Sequence, residues 1–169
     1  QADEKEIIVF EFYKSVFRLY GVPTDGSAPR SLSSGVDTSL YPVLFQGDIV
    51  YFISHNFNRP DEIFSLDLKT EVTKRLTSIQ PTEHLPKIEV QSLSWLSTDG
   101  LTIEGTLLLP SRKIKGAIPL VVLAHGGPGN NSNNAFAGTP YKFSFPAMPA
   151  LFTSQDMAVL WVYFRGSDG

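Results

Sequence analysis

The sequence contains no cysteine, only three histidines and no long apolar run. Without cysteine the chain cannot form disulfides, thiolate metal sites or a cysteine nucleophile. Its apolar stretches, such as residues 118–124, are far shorter than the roughly 20 residues of a membrane-spanning helix. We therefore expect no membrane span. The lack of cysteine says little about compartment; a cytoplasmic protein is the expectation and a secreted one the alternative.

Basic residues are not in excess, since 14 Lys and Arg stand against 17 Asp and Glu, for a formal net charge of -3. Proteins that bind nucleic acids carry clustered basic residues, so nucleic acid is not an expected partner. His55-Asn56 and Asn58-Arg59-Pro60 are expected in an exposed connection between strands, and His84 in a linker. Neither histidine has metal-ligand spacing to another histidine or carboxylate, and no metal or other cofactor is expected. Because the chain begins with Gln1 and residues 165–169 read as the middle of a loop, we expect it to be cut from a longer protein.

The first half of the chain shows short strands between turn signals. Aromatic and β-branched residues predict strands at residues 7–12, 17–20, 41–45, 49–54 and 62–67. Residues 17–32 and 62–77 resemble each other, each reading as a strand, a tight turn and a strand that ends in a basic residue and leucine. Their spacing of about 45 residues is typical of four-stranded propeller blades. An unrelated β-meander is the alternative.

The pattern changes after a polar, proline-containing linker at residues 79–86. Paired strands are predicted at 90–96 and 102–109, around a turn at Asp99-Gly100. The apolar run 119–125 predicts a strand buried on both faces of an α/β sheet. A helix within 145–155, shortened or kinked by Pro149, and a strand at 159–164 complete a strand–helix–strand unit.

The residues that indicate chemistry are His125, Gly126 and Gly127, which follow the apolar run. A glycine-rich turn leaves backbone N–H groups accessible, and such groups stabilise the negative oxygen of a tetrahedral intermediate. In α/β-hydrolases one oxyanion-hole N–H comes from a loop of this kind. A tight turn without function is an equal alternative. A phosphate-binding loop is less favoured, because neither the dinucleotide glycine pattern nor a following Gly-Lys-Ser/Thr is present.

Taken together, these motifs resemble the acylaminoacyl-peptidase and dipeptidyl-peptidase branch of the prolyl oligopeptidase family of serine peptidases. The matching segments keep their order and spacing over the second half of the chain: residues 97–105, 107–110, 119–128, 145–148, 158–160 and 163–169. The first half resembles the family's propeller more loosely. The resemblance implies the N-terminal part of an α/β-hydrolase sheet in residues 87–169, preceded by the last blades of a β-propeller in residues 1–86.

The resemblance also implies an activity, which is the release of N-terminal acylamino acids or dipeptides from short peptides. A peptide is then the substrate, and a homo-oligomer of the full-length protein is left open. Gly127 is the implied oxyanion-hole donor, with His125 and Gly126 shaping the loop. For Arg165 a solvated or structural arginine is the favoured interpretation; the alternative is that it organises the loop after its strand by hydrogen bonding to carbonyls or carboxylates.

The sequence departs from the family in its catalytic residues. No Gly-x-Ser-x-Gly pentapeptide occurs, and the family's nucleophile, acid and histidine all follow the matched region, so the chain alone is expected to be inactive. Ser167 and His125 are not expected to belong to the triad. Asp156 stands where relatives usually have glycine, which predicts a differently built turn.

Two other functions stay open at this point, an α/β-hydrolase esterase and a catalytically dead propeller-type binding module. We also expect the isolated chain to aggregate or to stay partly unfolded. Open sheet edges and an exposed apolar strand at residues 121–123 would both favour association.

Overall fold

The computed structural model describes residues 5–13, 16–32, 39–79, 81–83, 85–124 and 148–167. Their elements are β1 (Glu6–Tyr13), β2 (Val16–Pro23), β3 (Arg30–Ser31), β4 (Ser39–Gln46), β5 (Ile49–Asn56), β6 (Arg59–Asp67), β7 (Thr73–Arg75), β8 (Ile88–Leu96), β9 (Thr102–Pro110), β10 (Leu120–Ala124), α1 (Met148–Ser154) and β11 (Ala158–Tyr163). The strands form a first sheet (β1-β2-β3), a second sheet (β4-β5-β6-β7) and a third sheet (β10-β11-β9-β8). Within the described ranges the strands close neither a barrel nor a propeller, and no helix is long and apolar enough to cross a membrane.

The first two sheets are antiparallel meanders, as the alternation of strands and turn signals predicts. Gly26 (φ 83°) and Gly47 (φ 59°) lie in their turns with the positive φ that glycine adopts without a steric penalty. The two similar sequence units have the same hydrogen bonding. Leu32 N–H donates to Leu19 O (2.9 Å) in the first, and Leu76 N–H donates to Ile63 O (2.8 Å) in the second. The predicted strand–turn–strand repeat is therefore present in the structure.

A shared hydrophobic core joins the first sheet to the second. Its buried members are Leu19, Leu32, Val50, Phe52, Phe64 and Leu66. The rings of Phe52 and Phe64, on neighbouring strands, stack with centroids 5.6 Å apart. Fully burying such side chains contributes about 1.5–3 kcal/mol each. The two sheets are thus held together by packing as well as by the Arg30–Glu71 ion pair (2.5 Å).

Strand β6 buries a charged residue on its inner face. Glu62 is 1% exposed and lies on the same face as Phe64 and Leu66, whereas Ile63 points outwards. The Glu62 carboxylate accepts hydrogen bonds from Arg75 Nη2 (3.0 Å), from Ile79 N–H (2.9 Å) and from the Thr77 hydroxyl. A buried carboxylate needs such partners, because an unpaired charge in the protein interior is strongly unfavourable.

The third sheet mixes an antiparallel hairpin with a parallel pair. β8 and β9 pair around the predicted turn, where Gly100 has a φ of 85°. β10 and β11 are parallel and are connected through α1, while β11 also pairs antiparallel with β9. The strand–helix–strand unit predicted from the sequence is therefore present.

Strand β10 is not buried on both faces, so that prediction was wrong. Leu120 and Val122 are 53% and 58% exposed, whereas Val121 and Leu123 pack against the core of the third sheet. β10 is the edge strand of this sheet, and none of the described residues covers its outer face. Only the middle residue of the run 121–123 is therefore exposed.

The core of the third sheet combines residues from distant parts of the chain. Its buried members are Phe57, Ile88, Leu108, Val159 and Trp161. Helix α1 adds Ala150 and Phe152 from above the same face. Pro149 is part of α1 and is itself buried. The described helix lies within the predicted span 145–155, of which residues 145–147 lie outside the described residues.

Helix α1 ends in a Schellman motif that places Asp156 in the left-handed conformation, with φ 62°. Met157 N–H donates to Phe152 O (3.1 Å), and Asp156 N–H donates to Thr153 O (3.3 Å). Arg112 Nε donates to Asp156 Oδ1 (2.6 Å) and its Nη2 donates to Oδ2. The turn is thus not rebuilt, contrary to expectation: aspartate adopts the conformation that glycine would adopt, and an ion pair holds it.

Asp156→Ala is expected to lower the free energy of unfolding by about 1 kcal/mol more than Asp156→Gly. Both changes remove the exposed ion pair with Arg112, but only alanine keeps a Cβ that is disfavoured at positive φ. Urea denaturation of the two variants measures the difference. Equal stabilities would show that the backbone at this position carries no strain.

Candidate functional site

The edge of the third sheet at the carboxyl ends of its parallel strands is the candidate site. The pairing of Ala124 with Val162 brings the ends of β10 and β11 together, and the antiparallel β8–β9 turn lies at the same edge. In open α/β sheets, ligands bind outside the carboxyl ends of the strands. The predicted site residues His125, Gly126 and Gly127 follow Ala124 directly but lie outside the described residues. The structure therefore defines only the strand end from which this loop starts.

An ion pair links two turns at this edge. Arg165, after β11, donates from Nη2 to Oδ2 of Asp99 in the β8–β9 turn. That hydrogen bond is the main reason why the pKa of Asp99 is lowered. The turn itself is closed by Ser97 N–H on Leu101 O (2.8 Å). Arg165 thus has a carboxylate partner in the β8–β9 turn, while both side chains are largely exposed, which agrees with the favoured interpretation of a solvated or structural arginine.

Ser167 lies in a tight turn, where its backbone N–H (3.0 Å) and its hydroxyl (2.6 Å) both donate to Phe164 O. Gly166 between them has a φ of 85°. A hydroxyl used in this way stabilises a local turn and is not poised for nucleophilic attack. The geometry agrees with the structural role expected for Ser167.

One face of the third sheet is polar close to the same edge. The Thr106 hydroxyl and the Tyr163 hydroxyl are 2.8 Å apart and hydrogen bonded. They line a shallow pocket of about 80 Å³ together with Ser92, Leu93, Ser94, Glu104 and Gly105. Sequence reasoning missed this pocket, since its residues come from three strands that are adjacent only in the folded sheet.

A second group of titratable residues lies near the tip of the β5–β6 hairpin. The sequence placed residues 55–60 in an exposed connection, and that expectation was wrong: His55 is fully buried. A register irregularity between Ser54 and Asn56 turns the His55 side chain inwards, and its Nδ1 lies 2.7 Å from Asp61 Oδ1. His84, the other histidine considered for metal binding, lies outside the described residues. Among those that are described, no group of three or more histidine, aspartate or glutamate side chains could hold a metal ion.

The buried His55 predicts a dependence of stability on pH. Burial lowers the pKa of His55, and the hydrogen bond that its Nδ1 makes to the Asp61 carboxylate opposes this effect only in part. Below about pH 6.5 the unfolded chain therefore binds a proton that the folded chain does not, and the free energy of unfolding decreases as the pH falls. The slope in this range is expected to approach 1.4 kcal/mol per pH unit at most.

His55→Gln tests this prediction, because glutamine does not titrate. Between pH 6.5 and pH 5 the whole protein carrying this variant should show a flatter loss of stability in urea denaturation than the unmodified whole protein. The carboxylates with lowered pKa values, Glu6, Asp25, Asp67 and Asp99, become protonated only at lower pH. An unchanged slope in the variant would exclude His55 as the responsible group.

Comparison with known proteins identifies the class of fold. No protein-family model and no curated protein sequence matches the chain. The structure does match solved structures of prolyl oligopeptidase-family enzymes over 95–99% of its length. The chain shares their fold over this segment.

Three of these structures illustrate the similarity. The Pyrococcus horikoshii acylaminoacyl peptidase has a TM-score of 0.72 and 20% identity, covering 97% of this chain and 24% of that protein. Oligopeptidase B from Leishmania major has a TM-score of 0.72 and 11% identity over 97% of this chain and 24% of its own. A puromycin-hydrolysing peptidase of Mycobacterium tuberculosis has a TM-score of 0.65 and 18% identity over 99% and 25%. The chain therefore spans about a quarter of the length of these enzymes.

Proposed function

We propose that the whole protein containing this chain is a serine peptidase of the prolyl oligopeptidase type. Residues 1–86 would be the C-terminal blades of its β-propeller, and residues 87–169 the N-terminal part of its α/β-hydrolase domain. The supporting observations are the meander of the second sheet, the mixed third sheet that follows it, and the similarity to peptidases along nearly the whole chain. We further propose a cytoplasmic enzyme that releases acylamino acids or dipeptides from the N-termini of short peptides.

The observation that carries the proposal is the parallel β10–β11 pair, with His125, Gly126 and Gly127 following β10. In this proposal the Gly127 N–H donates to the oxyanion of the tetrahedral intermediate. His125 and Gly126 shape the loop. Because the sequence of the chain holds no Gly-x-Ser-x-Gly motif, the nucleophilic serine belongs to another part of the whole protein.

Labelling of the whole protein with a fluorophosphonate, followed by peptide mapping, is the first test. We expect one modified serine within a Gly-x-Ser-x-Gly peptide that lies outside this chain, and no label on Ser167. Cleavage of N-acylated and free peptides is then compared with cleavage of small esters. Label-free protein would support a binding module, and ester cleavage without peptide cleavage would support an esterase.

Gly127→Pro tests the role of the loop, because proline removes the proposed N–H donor. Loss of one oxyanion-hole donor lowers kcat by about 10²–10³. Ser167→Ala serves as the control and should keep kcat. A Gly127→Pro variant that folds and keeps its kcat would exclude Gly127 as the donor.

A further inference from the structure

The tip of the β5–β6 hairpin reaches out of the second sheet into the core of the third. Phe57, one of its two loop residues, is only 4% exposed and packs with the core residues of the third sheet. Its ring centroid lies 6.4 Å from that of Trp161 on β11. An aromatic side chain of the second sheet is thus a core residue of the third.

The other loop residue, Asn58, is hydrogen bonded to the first residue of β8. Asn58 Nδ2 donates to Ile88 O at 2.8 Å, and Ile88 N–H donates to Asn58 Oδ1 at 2.8 Å. Two paired residues of an antiparallel ladder exchange the same pair of bonds. The amide side chain therefore binds the third sheet as one further strand residue would.

The tip also makes hydrogen bonds to other residues of the β5–β6 hairpin. Asn58 N–H donates to Asn56 Oδ1 at 2.9 Å, which closes the turn locally. Behind it, His55 is buried against Asp61. These contacts lie within the second sheet and do not reach the third.

The described residues between the end of β7 and the start of β8 form neither helix nor strand. Part of this connection is held by the second sheet, since Ile79 N–H and the Thr77 hydroxyl donate to the Glu62 carboxylate. Thr82 Oγ1 donates to Asn58 O at 3.5 Å, so the connection also contacts the hairpin tip. The tip itself provides both an apolar and a polar contact to the third sheet.

We propose that Phe57 and Asn58 couple the second sheet to the third, so that the two sheets open as one cooperative unit. The coupling involves β11, the strand whose carboxyl end forms the candidate site, because Phe57 packs against Trp161 on that strand. This inference goes beyond the proposed function and does not depend on it, because it concerns the joint opening of two sheets and not a reaction.

Hydrogen exchange of the whole protein in rising, sub-denaturing urea tests the proposal. Peptides from β5–β6 and from β8, β9 and β11 should show the same dependence on urea in the unmodified protein. In Asn58→Ala, exchange at the Ile88 amide should be faster by roughly fivefold or more, because both hydrogen bonds between Asn58 and Ile88 are lost. The two sets of peptides should then respond to different urea concentrations.

Asn56→Ala is the matched control, because it removes an asparagine of the same turn that bonds only within the hairpin. It should leave the two sheets opening together. Phe57→Ala and Phe57→Leu are two further variants. The difference in urea dependence between the two sets of peptides should be smaller in Phe57→Leu, which keeps an apolar side chain, than in Phe57→Ala. Sheets that open separately in the unmodified protein, or jointly in both Asn58→Ala and Phe57→Ala, would overturn the proposal.

Discussion

Gly105→Val is expected to destabilise the third sheet by about 3 kcal/mol or more, at the upper end of the cost of overpacking. Gly105 lies in the middle of β9, and a Cβ built on it would be 2.8 Å from Trp161 O and 3.1 Å from the Trp95 ring. The first of these atoms belongs to the backbone of the paired strand β11, so it can move only if the strand pairing is disturbed. The urea midpoint of the third sheet, followed by hydrogen exchange in the whole protein, measures the loss.

The smaller substitution Gly105→Ala should also destabilise the third sheet, and Gly21→Ala serves as its control. Gly21 also lies within a strand, and a Cβ there would meet only the carboxylate end of the Glu6 side chain. That side chain can rotate away, at the expense of its partly exposed ion pair with Arg30 (2.8 Å). Gly21→Ala should therefore lower stability by less than Gly105→Ala. Equal losses would show that the strand glycines matter for a reason other than steric contact.

Arg75→Met should reduce the stability of the second sheet by about 3 kcal/mol, the lower end of the range for breaking a buried ion pair. The Glu62 side chain is fully buried, while the Arg75 guanidinium reaches it from a partly exposed position at 3.0 Å. Removing Arg75 leaves a buried carboxylate with fewer partners. Urea denaturation monitored in β5–β7 peptides measures the effect.

The double variant Glu62→Gln with Arg75→Met separates the charge from the other bonds of Arg75. Arg75 also donates to Thr77 O (2.7 Å) and to the Ser78 hydroxyl (3.2 Å). A neutral glutamine removes the uncompensated charge, so the double variant should recover more than half of the loss. Without recovery, the effect would belong to Thr77 and Ser78. Lys74→Met, an exposed cation on the same strand, should change stability by less than about 0.5 kcal/mol.

The local elements were largely predictable from the sequence. Turns at Gly26, Gly47 and Gly100 were expected, and these glycines adopt positive φ. The strands of the first two sheets and the helix before β11 were also found close to their predicted places. Such features depend on neighbouring residues, because a turn needs only a permissive glycine and a strand needs only a short apolar pattern.

Burial was harder to predict, because it depends on residues far away in sequence. Glu62 on β6 is buried, and its main partner Arg75 comes from the next strand. Leu120 and Val122 on β10, which were expected to be buried, are exposed because none of the described residues covers that face of the sheet. Neither the partner of a buried charge nor the residues that cover a strand can be recognised from a local pattern.

The sequence by itself determined the strands, the turns and the chemical character of the loop that begins at His125. It also determined that an Asn-containing connection follows β5, but not what that connection contacts. Only the tertiary structure decided that Phe57 enters the core of the third sheet and that Asn58 binds Ile88. The physical reason is that backbone geometry follows from local sterics, whereas burial and pairing follow from which distant surfaces the folded chain brings together.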